Sequence, residues 1–500
     1  MLAPSLSKQE NTWRFSSVQW AAAALEIPVE TLQLFIEGTN LMEYRAYALE
    51  AAQIICGDGM MLRASDAWRD QKFFYAKNCD KWAIARVSSR ENPGTVDTGS
   101  FINTLRRFST NCGMIVSMPV LNESWGDTQD MRHDLKQFMS RAKSLGAQLV
   151  VYISDLPHDH DVVKLVEREV GLPTQQIKDE NFMTVIQEES LTDTVLNILK
   201  KMNAKLGGIN HIVDCPALME EGTMFMGLFI DTPDSWKNVQ NGALPTDPVV
   251  IGVAANIGLF DSTDPAKKKQ AEAQYFCKKI VYANSAQCRN GETLKTNLKN
   301  TIVSQIETYR VNRGGALPTR IFVYISGIAD SDREYWKTIF TGYKPNLVLL
   351  SAYTAPHRPF NLNTPTTDPP GTQVAGFVVN HVAANSSEFF FQSPSQEARK
   401  PHKYTYLACL NADLLPMATI EDITWKLCFL HECTDHYTMA VQGISYACPV
   451  RLAWDAAKRG RTLFRAFRKE IGLHGTYDLA ELNAALGSEG DLTCGARMTV

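Results

Sequence analysis

Residues Leu199–Val213 read LKKMNAKLGGINHIV. The first part of this stretch is the end of a helix, on which Lys201 and Lys205 stand four apart and share a face. The Gly207-Gly208 pair that follows is a helix stop. Working upstream, the apolar run Gln148–Ile153 reads as a buried strand. It ends in a Pro-containing loop (Ser154–Asp159), and a helix starts near Asp159. The first turn of such a helix offers free N–H groups and the positive dipole end to an anion. His160 and Lys164 are four apart and share a face of that helix. Gly171–Gln175 (GLPTQ) is expected to be a turn that presents an amide. An imidazole, an amide and three ammonium groups could therefore converge on a terminal phosphate. Spacing alone favours two ordinary solvated helix faces with scattered lysines.

Beyond this centre the pattern alternates from about residue 80. Buried strands are expected at Trp82–Val87, Gln148–Ile153, Met224–Ile230, Val249–Ala255, Arg320–Ile325 and Asn346–Leu350. Helix-period stretches lie at Ser100–Ser109, Met131–Ser144, Leu191–Leu206, Leu294–Tyr309 and Ile420–His431. Short strands alternating with helices indicate α/β sheets with covering helices. Strand periodicity returns at Val374–Val382, Phe389–Gln392 and Lys403–Cys409. Two α/β units are expected to meet near residue 215. The first 70 or so residues hold a short Ala-rich helix (Trp20–Leu25) and no compact unit. Asp231–Asp247 and Asn361–Gly371 are the most loop-like stretches.

The chain has 500 residues, enough for about three domains at roughly 150 residues each. Lys+Arg is 50 and Asp+Glu 54, a net charge of −4, which excludes a histone-like polycation but not a local basic groove. No apolar run approaches the ~18 residues of a membrane span, so no membrane partner is expected. The first residues do not read as a secretion signal. Eleven cysteines without a CxxC pair read as thiols in a reducing compartment.

Standard catalytic motifs fail. GxxxxGK[ST] and GxGxxG are absent. In His431–His436 (HECTDH) the histidines are five apart, whereas zinc on one helical face wants four. Gly443–Ala447 (GISYA) lacks the second glycine of a nucleophile elbow. His158–Asp161 (HDHD) is a weak metal-ligand candidate.

Leu199–Val213 closely resembles the Argonaute segment KxNxKLGGxN, which ends the MID domain and leads into PIWI. Lys81–Val87 and Ser100–Pro119 resemble the start of MID. Met224–Pro233 resembles the first PIWI strand, and Pro318–Gly327 (PTRIFVYISG) the PTRIIFYRDG strand. Lys426–Cys433 and Pro449–Arg461 resemble the last PIWI helices. The resemblance covers roughly residues 75–470 and implies an α/β fold, a Rossmann-like MID domain (75–215) followed by an RNase H-like PIWI domain (216–500). Residues 1–74 are then expected to be a linker-like segment, with no counterpart of the amino-terminal and PAZ domains.

Carried over residue by residue, the guide 5′-phosphate pocket of the family falls on His160, Lys164, Gln175, Lys201 and Lys205, with Arg459 from the PIWI side. His160 stands where many Argonautes have a base-stacking Tyr, and imidazole also stacks on a base. The His-Lys-Gln-Lys set resembles the worm-specific WAGO clade, which is associated with 5′-triphosphorylated small RNAs; an added positive charge from His160 would suit such an end. A second basic run, Lys458, Arg459, Arg461, Arg465, Arg468 and Lys469, would either hold guide phosphates or form a solvated helix face. Of the family's usual basic string near Ser351–Phe360, His357 and Arg358 remain as RNA-backbone contacts, together with Arg461.

Slicing Argonautes hold two Mg²⁺ ions on carboxylates and a His. The first Asp falls on Phe229, the RDG aspartate on Ser326 and the last-helix His on Trp454. The glutamate finger aligns loosely with Glu292. Asp231, two residues after Phe229 and on the same strand face, could restore the first ligand. No slicing is expected, and no catalytic metal; the resemblance leaves room for a Mg²⁺ at the guide 5′ phosphate. The implied partners are a small guide RNA, target RNA by base pairing, and silencing effector proteins. The expected compartment is the cytoplasm, with the nucleus open. The alternatives are an RNase H-like endonuclease with relocated ligands, and a degenerate scaffold that binds no RNA.

Overall fold

The structure is a computed structural model that describes residues 44–50, 52–63, 71–89, 98–127, 130–156, 159–188, 191–233, 247–260, 262–288, 292–326, 346–354, 374–381, 388–392, 402–410, 415–431, 446–471 and 477–487. The Ala-rich stretch Trp20–Leu25 and the loop Asn361–Gly371 lie outside them. The described residues of 46–379 and 387–500 belong to one compact unit.

Its first strands are β1 (Tyr44–Glu50), β2 (Gln53–Ile55) and β3 (Met61–Arg63). They precede a parallel sheet of β4 (Trp82–Ser88), β5 (Leu121–Gly126), β6 (Leu149–Ser154) and β7 (Thr174–Lys178), in the order β5-β4-β6-β7. All its pairings are parallel. Side chains of a strand alternate between faces, and a parallel sheet is covered on both. Trp82 and Ile84 therefore pack with helices α1 (Thr98–Ser109), α4 (Asp179–Ile186) and α5 (Asp193–Lys205). Ala83 and Ala85 pack on the other side with α2 (Met131–Ser144) and α3 (His160–Val170).

β8 (Ile212–Val213) leads away from this unit and pairs with β2, Ile54 opposite Val213. The larger sheet contains β9 (Thr223–Asp231), β10 (Val249–Ala255), β11 (Cys277–Ala283), β12 (Arg320–Ser326), β13 (Asn346–Thr354), β14 (Val374–His381), β15 (Glu388–Gln392) and β16 (His402–Leu410). Its order is β1-β14-β15-β16-β13-β12-β9-β10-β11. β9, β10 and β11 form an antiparallel meander, and β12 and β13 continue parallel to β9. This is the RNase H-like arrangement implied by the resemblance.

Met224, Met226 and Leu228 face α7 (Glu292–Asn312), whose Leu298, Ile302 and Ile306 share their core; α6 (Pro265–Gln274) contributes Ala271. Phe225 faces the opposite core, with α8 (Met417–Leu427) and the start of α9 (Cys448–Ile471). A short α10 (Leu479–Leu486) closes the described chain. Helix α9 lies almost on the backbone of the sheet. A Cβ on Gly227 would stand 2.0 Å from Pro449 O, and one on Gly252 1.9 Å from Ala453 O.

Three expectations change. Residues 44–63 are not linker-like: β1 joins the large sheet, and Ala52, Ile54 and Cys56 are buried in its core. Thr174–Lys178 is an edge strand rather than a turn, because Thr174 pairs with Val150 of β6. β5 (LNESWG) and β11 (CKKIVYA) escaped the apolar-run reading because polar residues interrupt them. In β11 Lys278 is buried within 3.7 Å of Asp455 Oδ2, so that strand carries a paired charge inward. Cys79, Cys112, Cys215, Cys288 and Cys428 are buried thiols. No described helix is long and apolar enough to cross a membrane.

Candidate nucleic-acid interface

The 199–213 stretch is held rigid by its two asparagines. Asn203 Oδ1 accepts from Lys77 N at 2.8 Å, and its Nδ2 donates to Asn210 Oδ1 at 2.9 Å and to Tyr75 O at 3.2 Å. Asn210 Nδ2 donates to Lys200 O at 3.0 Å, across the end of α5. Gly207 has φ +87°, a left-handed turn out of the helix that glycine makes without steric cost. A side chain on Gly208 would collide with Asn203. Lys205, the last residue of α5, is thereby fixed and buried.

Lys205 Nζ donates to Thr174 O at 2.6 Å and to Gln175 Oε1 at 2.8 Å. Lys164, 2% exposed, donates to Thr174 Oγ1 at 3.0 Å and to Glu167 Oε2 at 3.0 Å. From the other sheet, Arg459 on α9 reaches across 292 residues of chain and donates through Nη2 to Glu167 Oε1 at 2.6 Å. Glu167 Oε2 also accepts from the Thr174 amide at 3.0 Å and from the Thr174 hydroxyl. Helix α3 is clamped here between its own sheet and α9, since Leu165 packs with Ala456, Leu463 and Phe464.

Lys164 and Arg459 thus share one carboxylate, with Lys205 close by, in a place nearly closed to water. Burial opposes their charges. It pushes the Lys164 amine down to about 8, despite the attraction of Glu167. The Lys205 amine falls well below its usual range for the same reason, aided by repulsion from Lys164. Although burial itself opposes the Glu167 charge, Arg459 and then Lys164 hold its carboxyl far below the usual carboxylate range. Nε and Nη1 of Arg459 are buried and have no hydrogen-bond partner among the described residues. Buried donors of this kind are expensive unless a ligand accepts from them. An excess of desolvated positive charge with unused donors is chemically a site for a compact anion.

His160 stands at the start of α3, where its Nδ1 lies 2.6 Å from Gln176 Oε1. Burial lowers its pKa from 6.5, which disfavours in the free protein the added positive charge expected of His160. Lys201, half-buried on α5, lies close enough to depress both Lys164 and Lys205 electrostatically. The buried cations Lys164, Lys205 and Arg459 come from α3, α5 and α9 and do not gather at the first turn of α3.

The second basic run does not act as one stripe. Only Arg459 points into the cluster. Arg461 donates through Nε to Asp231 Oδ2 at 2.8 Å and through Nη1 to Pro248 O at 3.0 Å. These contacts oppose its expected role on RNA backbone. Arg465 lies 3.3 Å from Asp161, and Arg468 lies over the Tyr477 ring. His357 and Arg358 fall outside the described residues.

Glu167 was missed. A Lys-Glu pair three apart on a helix looks like a surface feature. The one signal was the unbroken apolar company of Lys164 in VVKLV, which marks a helix buried on more than one side.

The second candidate centre lies on the larger sheet. Strand register sets Ser326 beside Phe229, and Trp454 on α9 carries Arg451 at 4.5 Å and Lys458 at 6.0 Å from its ring. Asp231 is taken by Arg461 and by Lys458, whose Nζ is 3.5 Å from Oδ1. Phenyl and indole rings cannot ligate magnesium, and a lone hydroxyl is a poor ligand, so these residues do not fit a two-metal centre. The side chain of Glu292 is outside the described set. No three His, Cys, Asp or Glu among the described residues gather to hold a metal. In the HDHD run, Asp159 accepts from Gln176 at 2.7 Å and Asp161 pairs with Arg465, while His158 is outside the described residues, as is most of HECTDH and GISYA. The lysine cluster does not fit a Mg²⁺ either, since its single carboxylate is already bonded to two cations.

Residues 149–465 match the Piwi domain. The chain is 24% identical over 427 residues to Argonaute protein wago-1 of Caenorhabditis elegans, covering 79% of this chain and 41% of that protein. It is 26% identical over 350 residues to protein argonaute-2 of Drosophila melanogaster, covering 66% and 26%. It thus spans about two fifths or less of these relatives. In fold it is similar to the C-terminal lobe of a budding yeast Argonaute, with TM-score 0.66, 14% identity, and 92% and 97% of the two chains covered. A Kluyveromyces polysporus Argonaute with a guide RNA gives TM-score 0.65 at 14% identity, covering 90% of this chain and 56% of that one.

Proposed function

The chain belongs to the Piwi-domain family, and from that premise we propose that it acts as the MID–PIWI part of an Argonaute of the worm WAGO-like clade and carries a small guide RNA in RNA-mediated silencing without cutting the target. The observation that carries this reading is the buried cluster of Lys164, Lys205 and Arg459 with two unpartnered guanidinium nitrogens. The guide's 5′ phosphate would accept from Arg459, Lys164 and Lys205, with Lys201 adding field and Gln175 orienting Lys205. His160 would stack on the first base. Target choice is then base pairing, with the protein gripping backbone.

Absence of slicing is supported by Phe229, Ser326 and Trp454 at the ligand positions and by the engagement of Asp231 with two cations. The latter argues against relocated ligands. Silencing would pass through recruited effector proteins. Sequencing RNA co-purified with the protein tests the guide reading. A discrete length class with a biased first base is expected, and RNA-free protein would refute it and favour the scaffold.

A further inference from the structure

Glu167 is an anion where the phosphate is expected to bind. One oxygen takes Lys164 and the other takes Arg459, so the carboxylate bridges the two cations much as two oxygens of a phosphate would. We propose that Glu167 is a counter-anion built into the pocket, competing with the guide's 5′ phosphate for Lys164 and Arg459 and so limiting how strongly the terminal phosphate is preferred. The inference rests on the phosphate-pocket reading above.

Three features favour competition over a purely structural tie. First, the Thr174 amide and hydroxyl already fasten Glu167 to β7, a job that a neutral side chain of the same shape could do. Second, Arg459 gives Glu167 only Nη2, leaving Nε and Nη1 without partners in the buried site. An arriving phosphate therefore finds an unused guanidinium donor before the carboxylate lets go. Third, the carboxylate keeps the pocket's positive charge partly neutralised while no guide is bound. Without it, three desolvated cations would face one another, which destabilises the free protein and sharpens its demand for an anion.

The test compares Glu167→Gln with the unaltered chain, using 5′-monophosphorylated and 5′-hydroxyl RNA of one sequence. Glutamine keeps the shape and the bond from the Thr174 amide but removes the charge. The ratio of the two dissociation constants is expected to rise about tenfold in favour of phosphate, the scale of one charge-assisted contact. The free variant should melt lower than the unaltered chain and gain more from phosphorylated RNA. If Glu167→Gln does not fold, Glu167→Asp serves. Its shorter carboxylate cannot span both cations, and a smaller rise in the same direction is expected. An unchanged or lowered ratio in the variant that folds overturns the proposal and leaves Glu167 a structural tie. An unaltered chain that binds both RNAs equally refutes the pocket itself, and the proposal with it.

Discussion

Replacing Lys164 by methionine removes one buried ammonium while keeping most of its aliphatic volume. Its Nζ lies 3.0 Å from both Glu167 Oε2 and Thr174 Oγ1, and Glu167 keeps Arg459 and the Thr174 amide after the change. The loss should therefore fall on the incoming phosphate. A charge-assisted hydrogen bond contributes about 1.5–3 kcal/mol, roughly a ten- to hundredfold weaker affinity. Fluorescence anisotropy with 5′-phosphorylated and 5′-hydroxyl RNA should show that loss for the phosphorylated strand alone. The lowered pKa, about 8 against the ordinary 10.5, adds a pH signature. At pH 7 about nine-tenths of the free protein carries the charge and at pH 9 about one-tenth. Phosphate preference should fall through that range in the unaltered chain and fall less in Lys164→Met, where Lys205 is the remaining buried amine. The stability sign is the reverse. A lysine whose folded pKa is depressed binds fewer protons folded than unfolded between about 8 and 10.5, so stability rises with pH across that window. Methionine removes the part of the rise that Lys164 supplies and leaves the part from Lys205. A Lys164→Met protein that keeps the phosphate-to-hydroxyl ratio would refute the assignment of this ammonium to the pocket.

Incubation with guide, complementary target and Mg²⁺ or Mn²⁺ should yield no guide-directed product; a cut at a fixed distance from the guide end would overturn the reading of Phe229, Ser326 and Trp454. Gly227→Ala forces a methyl against Pro449 O and should cost about 1–3 kcal/mol of stability through overpacking, read by urea denaturation. Asp231→Asn leaves Arg461 and Lys458 without their carboxylate in a largely buried spot; about 1–3 kcal/mol should be lost, and an unchanged midpoint would make that pair idle.

The alternation of apolar runs and helix periods in the sequence determined the α/β class, because burial on two faces of a parallel strand and on one stripe of a helix leaves distinct periods. The stretch 199–213 also determined its own geometry, since the glycine turn and the Asn203–Asn210 bond are local. Lys164, Lys201 and Lys205 were legible as cations at helical spacing. Their environment was not. Tertiary structure alone decided that a strand, not a turn, presents Gln175, and that polar-interrupted β5 and β11 are strands, because their ladders are made with partners distant in sequence. It alone brought Arg459 to Glu167 and turned Arg461 to Asp231. Local periodicity records which face of a helix is buried; it does not record what that face is buried against, and for a charged side chain the neighbour decides the chemistry.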